Sequence, residues 1–295
     1  MVIGAARDGS RAAPAAAGER LRSQRTATGR AAEVLWHELE CDCYRADLSL
    51  WRELADREGG PVLDIGAGSG RVSMVLADAG HEVVAVDVDA ALLGALAERA
   101  TAGKVQTVCA DARALALGRR DFGLCIVPMQ TIQLLGGRPG RLAFLRAAAA
   151  HLRPGGALAC AIASALEPFD CDRGDPVPVP DSMRVGDVLY VSRPTRVQLR
   201  RDRVLIERER LLVALAGDQS AAAGRSTGTD SASAGADGRL AGPVEAAGRS
   251  VIELDRLSPA QLQREAREVG LRPEPTRQIP ASEEHTGSAV VMLRA

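Results

Sequence analysis

The sequence predicts an α/β fold: a doubly wound, mostly parallel sheet with helices on both faces. Three observations carry the prediction. Five short apolar runs between residues 61 and 163 read as strands, segments of helical period separate them, and the connections are short. Such alternation calls for a parallel sheet covered on both sides. At 295 residues, 46% of them hydrophobic but only 2% aromatic, the chain can build a sizeable core of mainly Ala, Val and Leu.

The elements follow in order. Residues 61–65 form the first strand, followed by a glycine turn and a helix over 69–79, which Gly80 ends as a left-handed cap. Residues 82–86 are the second strand, and Asp89 caps a helix over 90–100. Strands follow at 105–109 and 122–127. A helix over 140–152 then runs through Pro154-Gly155-Gly156 into a fifth strand at 157–163.

The flanks differ. Residues 1–30 lack periodicity and read as a disordered tail. Residues 31–58 place Leu35, Leu39, Tyr44, Leu48, Trp51 and Leu54 at spacings of three to five, which predicts cap helices leading into a core domain over 59–164. The stretch 165–216 opens with an irregular loop carrying four prolines and five aspartates before residue 188. Antiparallel strands follow at 188–193, 196–199 and 204–214, expected to act as a lid or a homodimer contact. Residues 217–249, rich in Ala, Gly and Ser, read as a flexible insertion. Residues 250–295 supply a helix that starts at Ser258-Pro259, and strands that complete the sheet.

Charge and composition narrow the function. Lys and Arg (37) nearly balance Asp and Glu (38), so the electrostatic footprint of a nucleic-acid binder is missing. No run approaches a membrane span, and no apolar export segment opens the chain. Of the six cysteines, 109, 125 and 160 fall in apolar strand-like runs. His37, Cys41 and Cys43 lack partners at zinc spacing, so no metal is predicted. A reduced, cytoplasmic protein is expected.

The most informative stretch is Asp64-Ile65-Gly66-Ala67-Gly68-Ser69-Gly70, where glycines let a ligand press against bare backbone at a helix start. A dinucleotide turn has the spacing GxGxxG, but the third position here is Arg71 or Ser73. No GK[ST] follows, so a P-loop is excluded as well. Acids recur at the next two strand ends. Asp87 and Val88 lie about 20 residues past the turn, where an acid can accept from ribose hydroxyls, and Asp111-Ala112 ends the third strand. Pro128-Met129-Gln130 follows the fourth strand, and Leu152-Arg153-Pro154-Gly155-Gly156 precedes the fifth.

These landmarks, across residues 60–163, resemble those of the class I (Rossmann-like) S-adenosylmethionine (AdoMet) methyltransferases, small-molecule type. The resemblance implies a seven-stranded mixed sheet with an antiparallel last strand, AdoMet as cofactor and a small-molecule methyl acceptor. It assigns Asp64 to the methionine amino group, Gly66 and Gly68 to close backbone approach, and Gly70 to helix packing. Asp87 would hold the ribose, Asp111 the adenine amino group and the Ala112 N–H a ring nitrogen, with Pro128 lining the site. Amino methyltransferases of DNA and protein glutamine carry [DN]PP[YF] after strand four; Val127-Pro128-Met129-Gln130 disfavours those substrates.

On the acceptor side, the catalytic candidates are Gln130, Tyr44 (as a ring closing over the cofactor) and His285 (as a base). A general base is needed only where the acceptor must lose a proton before attack. Two other readings fit the fold class: a non-catalytic AdoMet-binding module, and a nicotinamide oxidoreductase, which the missing third glycine opposes.

Overall fold

In the computed structural model the described residues are 29–100, 103–163, 165–215, 243–281 and 286–295. The N-terminal tail read from the sequence, most of the 217–249 insertion and His285 lie outside them.

Two helices open the described chain, α1 (Gly29–Cys41) and α2 (Leu48–Glu58). The alternating unit is β1 (Val62–Ile65), α3 (Arg71–Asp78), β2 (Val83–Asp87), α4 (Ala90–Arg99), β3 (Val105–Cys109), β4 (Phe122–Val127), α5 (Gly137–His151) and β5 (Leu152–Ile162). A second group follows: β6 (Phe169–Asp170), β7 (Asp181–Val185), β8 (Val188–Leu199), β9 (Arg203–Ala214) and β10 (Val244–Asp255). The chain closes with α6 (Pro259–Glu268), β11 (Arg272–Pro273), β12 (Arg277–Ile279) and β13 (Ser288–Arg294).

The main sheet runs β11-β13-β5-β4-β1-β2-β3, with β12 also paired to β13. Strands β1 to β5 are parallel and β13 is antiparallel to β5. The five-parallel-strand core and the antiparallel last strand expected from the sequence are therefore present. One edge is shared by two very short strands, β11 and β12, so the sheet has eight strands rather than seven. Every residue of β1 and β4 is buried, because helices cover both faces. Leu63 and Ile65 point into one apolar layer with Phe122 and Cys125, whereas Val62 points into the other with Leu124 and Ile126.

Local chemistry sets the helix starts as the sequence implied. Asp89 accepts from the backbone N–H of Ala91 and Leu92 to cap α4, and Ser258 accepts from Gln261 N–H to open α6 behind Pro259.

The five-stranded antiparallel sheet differs from the sequence reading in three places. Residues 188–193 and 196–199 are one strand, β8, whose register shifts between Pro194 and Arg196. Pro194 has no N–H to give to the ladder, so the strand bulges there without ending. Residues 181–185 form β7, whose polar sequence DSMRV hides its pairing with β8. Residues 244–249, read as part of the insertion, begin β10; their small side chains carry no strand signal and β9 supplies the order, around a bulge at Ala246/Gly248. Among the described residues no helix is long and apolar enough to cross a membrane.

The two sheets are tied together at both ends. Trp36 of α1 packs edge-on against Tyr190 of β8 at 5.0 Å. At the other end Gln133 Nε2 donates to the carbonyls of Asp255 (2.9 Å) and Ala163 (3.3 Å), and its Oε1 accepts from Ala163 N–H at 2.8 Å.

Candidate active site

The chain leaves β1 for β2 on one side, while β4 lies on the other side of β1. In open α/β sheets this reversal opens a crevice at the carboxyl ends of the strands. A cavity of about 270 Å³ sits there. Its floor is Asp64, Gly66, Ala67 and Ser69, and one wall is Pro128 to Thr131 with Leu134. His37, Glu40 and Cys41 of α1 form a second wall, and Ile206, Arg208 and Ile252 of the antiparallel sheet close the top.

The turn is held from below. Gly66 and Ala67 donate backbone N–H groups to Val86 O, and Gly68 N–H donates to Asp87 Oδ2 at 2.8 Å. Asp87 Oδ1 accepts from Asp89 N–H at 2.9 Å. Each carboxylate oxygen thus spends one lone pair on the turn and keeps another for a hydroxyl donor. Val88 beside it is 71% exposed, and neither residue is among those that line the cavity.

Gly66 and Gly68 adopt positive φ, +68° and +55°. A Cβ on Gly66 would lie 2.5 Å from Thr131 Cγ2, and one on Gly68 would overlap His37 Nε2. The bare backbone predicted for ligand approach is therefore also where Thr131 and His37 seat. A Cβ on Gly70 would overlap Leu96 of α4, so that glycine serves helix packing.

Asp64 is fully buried. Its Oδ2 accepts from Ser73 Oγ at 2.6 Å, whereas Oδ1 has no partner among the described residues. Burial pushes its carboxyl up to about 6, against the pull of the Ser73 hydrogen bond and the Arg71 charge. Ser69 Oγ, on a residue 1% exposed, is likewise without a partner among the described residues. One buried acceptor and one buried donor thus stand unpaired in the cavity floor.

The other polar groups are largely committed. Arg71 donates to Tyr44 O (2.6 Å) and to both oxygens of Asp47 (2.6 and 2.7 Å). Arg208 donates to Ser192 Oγ at 2.8 Å and to Asp181. Glu40 accepts from Ser192 Oγ (2.8 Å) and from Arg210 at 2.9 and 3.0 Å. Burial opposes its charge, but the Arg210 hydrogen bonds and charge outweigh this and hold its carboxyl below the ordinary value. Burial pushes the Cys41 thiol up to about 12, so it is not a base.

Of the acceptor-side candidates, Gln130 lines the cavity. Tyr44 does not; it is 8% exposed, packed in the core under the Arg71 guanidinium, 5.3 Å from its ring. The cation-over-ring contact and the surrounding apolar side chains hold it in the core. Asp111 caps the short helical turn Ala112–Ala114 and pairs with Arg113 at 2.6 Å, while Ala112 is buried. The Arg113 hydrogen bonds hold the Asp111 carboxyl below its usual value.

Glu40, Arg208, Ile206 and Ile252 were not singled out for the site by the sequence. The helical spacing 37, 40, 41 was the available signal on α1, and the alternation of 206 with 208 on β9. Neither shows which face meets the cavity until the antiparallel sheet is in place.

Comparison with known proteins agrees with this geometry. Residues 62–156 match the family model described as "Methyltransferase domain". The cypemycin N-terminal methyltransferase of a Streptomyces species is 37% identical over 100 residues, spanning 34% of this chain and 40% of that protein. Two solved structures share the fold. The amino pentose methyltransferase CalS10 of Micromonospora echinaspora has a TM-score of 0.61 at 15% identity, covering 88% of this chain and 96% of that one. The sugar N-methyltransferase KedS8 of a Streptoalloteichus species has 0.58 at 18% identity, covering 99% and 98%. The glycine turn, the sheet order and the family match together make residues 62–156 a methyltransferase domain of the class I, Rossmann-like, AdoMet-dependent type.

Proposed function

We propose that the protein transfers the methyl group of AdoMet to an amine on a small molecule held in the cavity between the glycine turn and the antiparallel sheet. The observation that carries the reading is the unpaired Asp64 Oδ1 on the cavity floor. A buried carboxylate oxygen costs free energy unless something donates to it. The ammonium of an amino-acid-bearing cofactor is such a donor, and Gly66 and Gly68 give that end a narrow floor.

Asp87 is the candidate for the ribose hydroxyls, with one lone pair free on each oxygen, and Asp111 and the Ala112 N–H are the candidates for the adenine edge. Bound AdoMet supplies a methyl carbon already activated by its sulfonium. The chain's part is then to bind, align and exclude water. Ile206, Ile252 and Leu134 offer the acceptor an apolar seat beside Gln130, under the antiparallel sheet.

An amine suits this cavity because the free base attacks without help, whereas a hydroxyl needs a group to take its proton. Glu40 is tied to Arg210 and Ser192, the Cys41 thiol does not ionise near neutrality, and the one imidazole lining the cavity among the described residues, His37, rests on the glycine turn at Gly68. The relatives named for N-terminal, amino pentose and sugar N-methylation support the same choice. The cytoplasmic setting, the lid or homodimer contact of the antiparallel sheet and the division of the chain given above belong to this proposal.

Calorimetry with AdoMet, its demethylated product S-adenosylhomocysteine and NAD tests the cofactor. Transfer of labelled methyl to small amines and to matched alcohols tests the acceptor. Binding of NAD without a response to AdoMet overturns the reading; transfer to alcohols alone overturns the amine.

A further inference from the structure

We propose that His37 and Ser69 bind the carboxylate of the cofactor's amino-acid end, so that α1 and the glycine turn recognise that end jointly. The inference rests on the AdoMet reading above and adds what that reading leaves open. The amino-acid end is a zwitterion. Asp64 Oδ1 suits its ammonium, but a carboxylate brought to the same floor meets Asp64 as a like charge. Without donors of its own it would be repelled.

The donors available are few. Arg71 spends its guanidinium on Asp47 and the Tyr44 carbonyl, and Arg208 is engaged by Ser192 and Asp181 within the antiparallel sheet. Of the cavity-lining donors without such a commitment, two stand at the glycine turn itself. Ser69 Oγ is buried in the turn with no partner among the described residues. Among the described residues the His37 ring makes one long hydrogen-bond contact, 3.9 Å from Nδ1 to Cys41 Sγ, with the Asp42 carboxylate nearby, and its Nε2 end rests on Gly68. That glycine, with φ +55°, leaves the space the imidazole occupies. A hydroxyl of the turn and an imidazole resting on the neighbouring Gly68, both lining one cavity, are a donor pair for an anionic oxygen.

The test compares two nucleosides by calorimetry. S-adenosylhomocysteine carries the amino-acid end; 5′-methylthioadenosine keeps the adenosine and sulfur but lacks it. His37→Ala is expected to weaken S-adenosylhomocysteine by about 10- to 100-fold, the loss of a hydrogen bond to a charged group, and to leave methylthioadenosine unchanged. His37→Gln, which keeps an N–H near the Nε2 position, is expected to retain most of the affinity. Ser69→Ala is expected to weaken only S-adenosylhomocysteine, by less. If His37→Ala weakens both nucleosides equally, the residue merely supports the fold. If it leaves S-adenosylhomocysteine binding intact and changes only the pH profile of turnover, it is a base and the assignment is wrong. A wild-type protein that binds neither nucleoside overturns the AdoMet reading itself.

Discussion

Ser73 Oγ donates to Asp64 Oδ2 at 2.6 Å, while the other oxygen of the same buried carboxylate accepts from none of the described residues. One hydrogen bond does not offset the desolvation of a carboxylate, and burial pushes this group up to about 6. An acid whose folded value is raised favours folding most when protonated. Its contribution is full below the unfolded value of 3.8 and is lost as pH rises through about 6. Near neutrality the site carries a charge that destabilises the empty fold.

Asp64→Asn removes that charge and keeps an oxygen for the Ser73 hydroxyl. The ligand-free variant is expected to exceed the wild type in stability at about pH 8 by on the order of 2–3 kcal/mol, the free-energy equivalent of the shift. The gain shrinks as pH falls toward 4. Thermal unfolding across that range reads it directly, and a gain that does not change with pH would refute the electrostatic origin.

Binding of S-adenosylhomocysteine should show the complementary trend. The ammonium needs the ionised carboxylate, so affinity falls as pH drops through about 6, approaching about tenfold per pH unit well below it. In Asp64→Asn the affinity is lower throughout and flat over the same interval. Titration calorimetry from pH 8 down to 5 separates the two profiles.

The sheet and its cofactor turn were legible in the sequence because each depends on local chemistry. The spacing of Gly66 and Gly68, the Asp89 cap and the Ser258-Pro259 helix start are set by near neighbours in the chain. The acceptor side was legible only in part, at Gln130, because the rest is assembled from distant pieces. His37 meets Gly68 because α1 is held by β8 and β9 through Trp36–Tyr190 and Glu40–Arg210, and by Arg99 of α4 through Glu38. Ile206 and Ile252 face the cavity only through the register of β9 with β10, whose first residues read as a low-complexity insertion. Tyr44 is a candidate cofactor cover by resemblance to related enzymes, but the partner that fixes it, Arg71, lies 27 residues away.

Asp87 holds the turn through Gly68 and is also the candidate for the ribose hydroxyls, so its removal acts twice. Asp87→Ala is expected to weaken AdoMet binding by on the order of 2–4 kcal/mol, from one or two hydrogen bonds to a charged group. Asp87→Asn keeps acceptor capacity on one oxygen and is expected to lose about half as much. Because the ribose is common to both probes, methylthioadenosine suffers as S-adenosylhomocysteine does. That distinguishes Asp87 from His37. An unchanged dissociation constant for either nucleoside would mean that the ribose binds elsewhere.

Arg141 of α5 offers the sharpest stability test, because one side chain links three elements. It donates from Nε and Nη2 to Glu265 of α6, both at 2.8 Å, and from Nη1 to Asp255 at the end of β10 at 2.7 Å. All three side chains are nearly inaccessible, and Asp255 also accepts from Gly137 N–H at 2.7 Å. Arg141→Met leaves the buried Glu265 carboxylate without its counter-charge and Asp255 with only Arg203 Nε at 3.6 Å, which is expected to cost about 3–5 kcal/mol. Adding Glu265→Gln and Asp255→Asn removes both charges while preserving the acceptor for Gly137, and should restore much of the stability. Urea unfolding of the single and triple variants measures the difference. A triple variant no more stable than Arg141→Met would show that the cluster acts through shape and hydrogen-bond geometry rather than through charge.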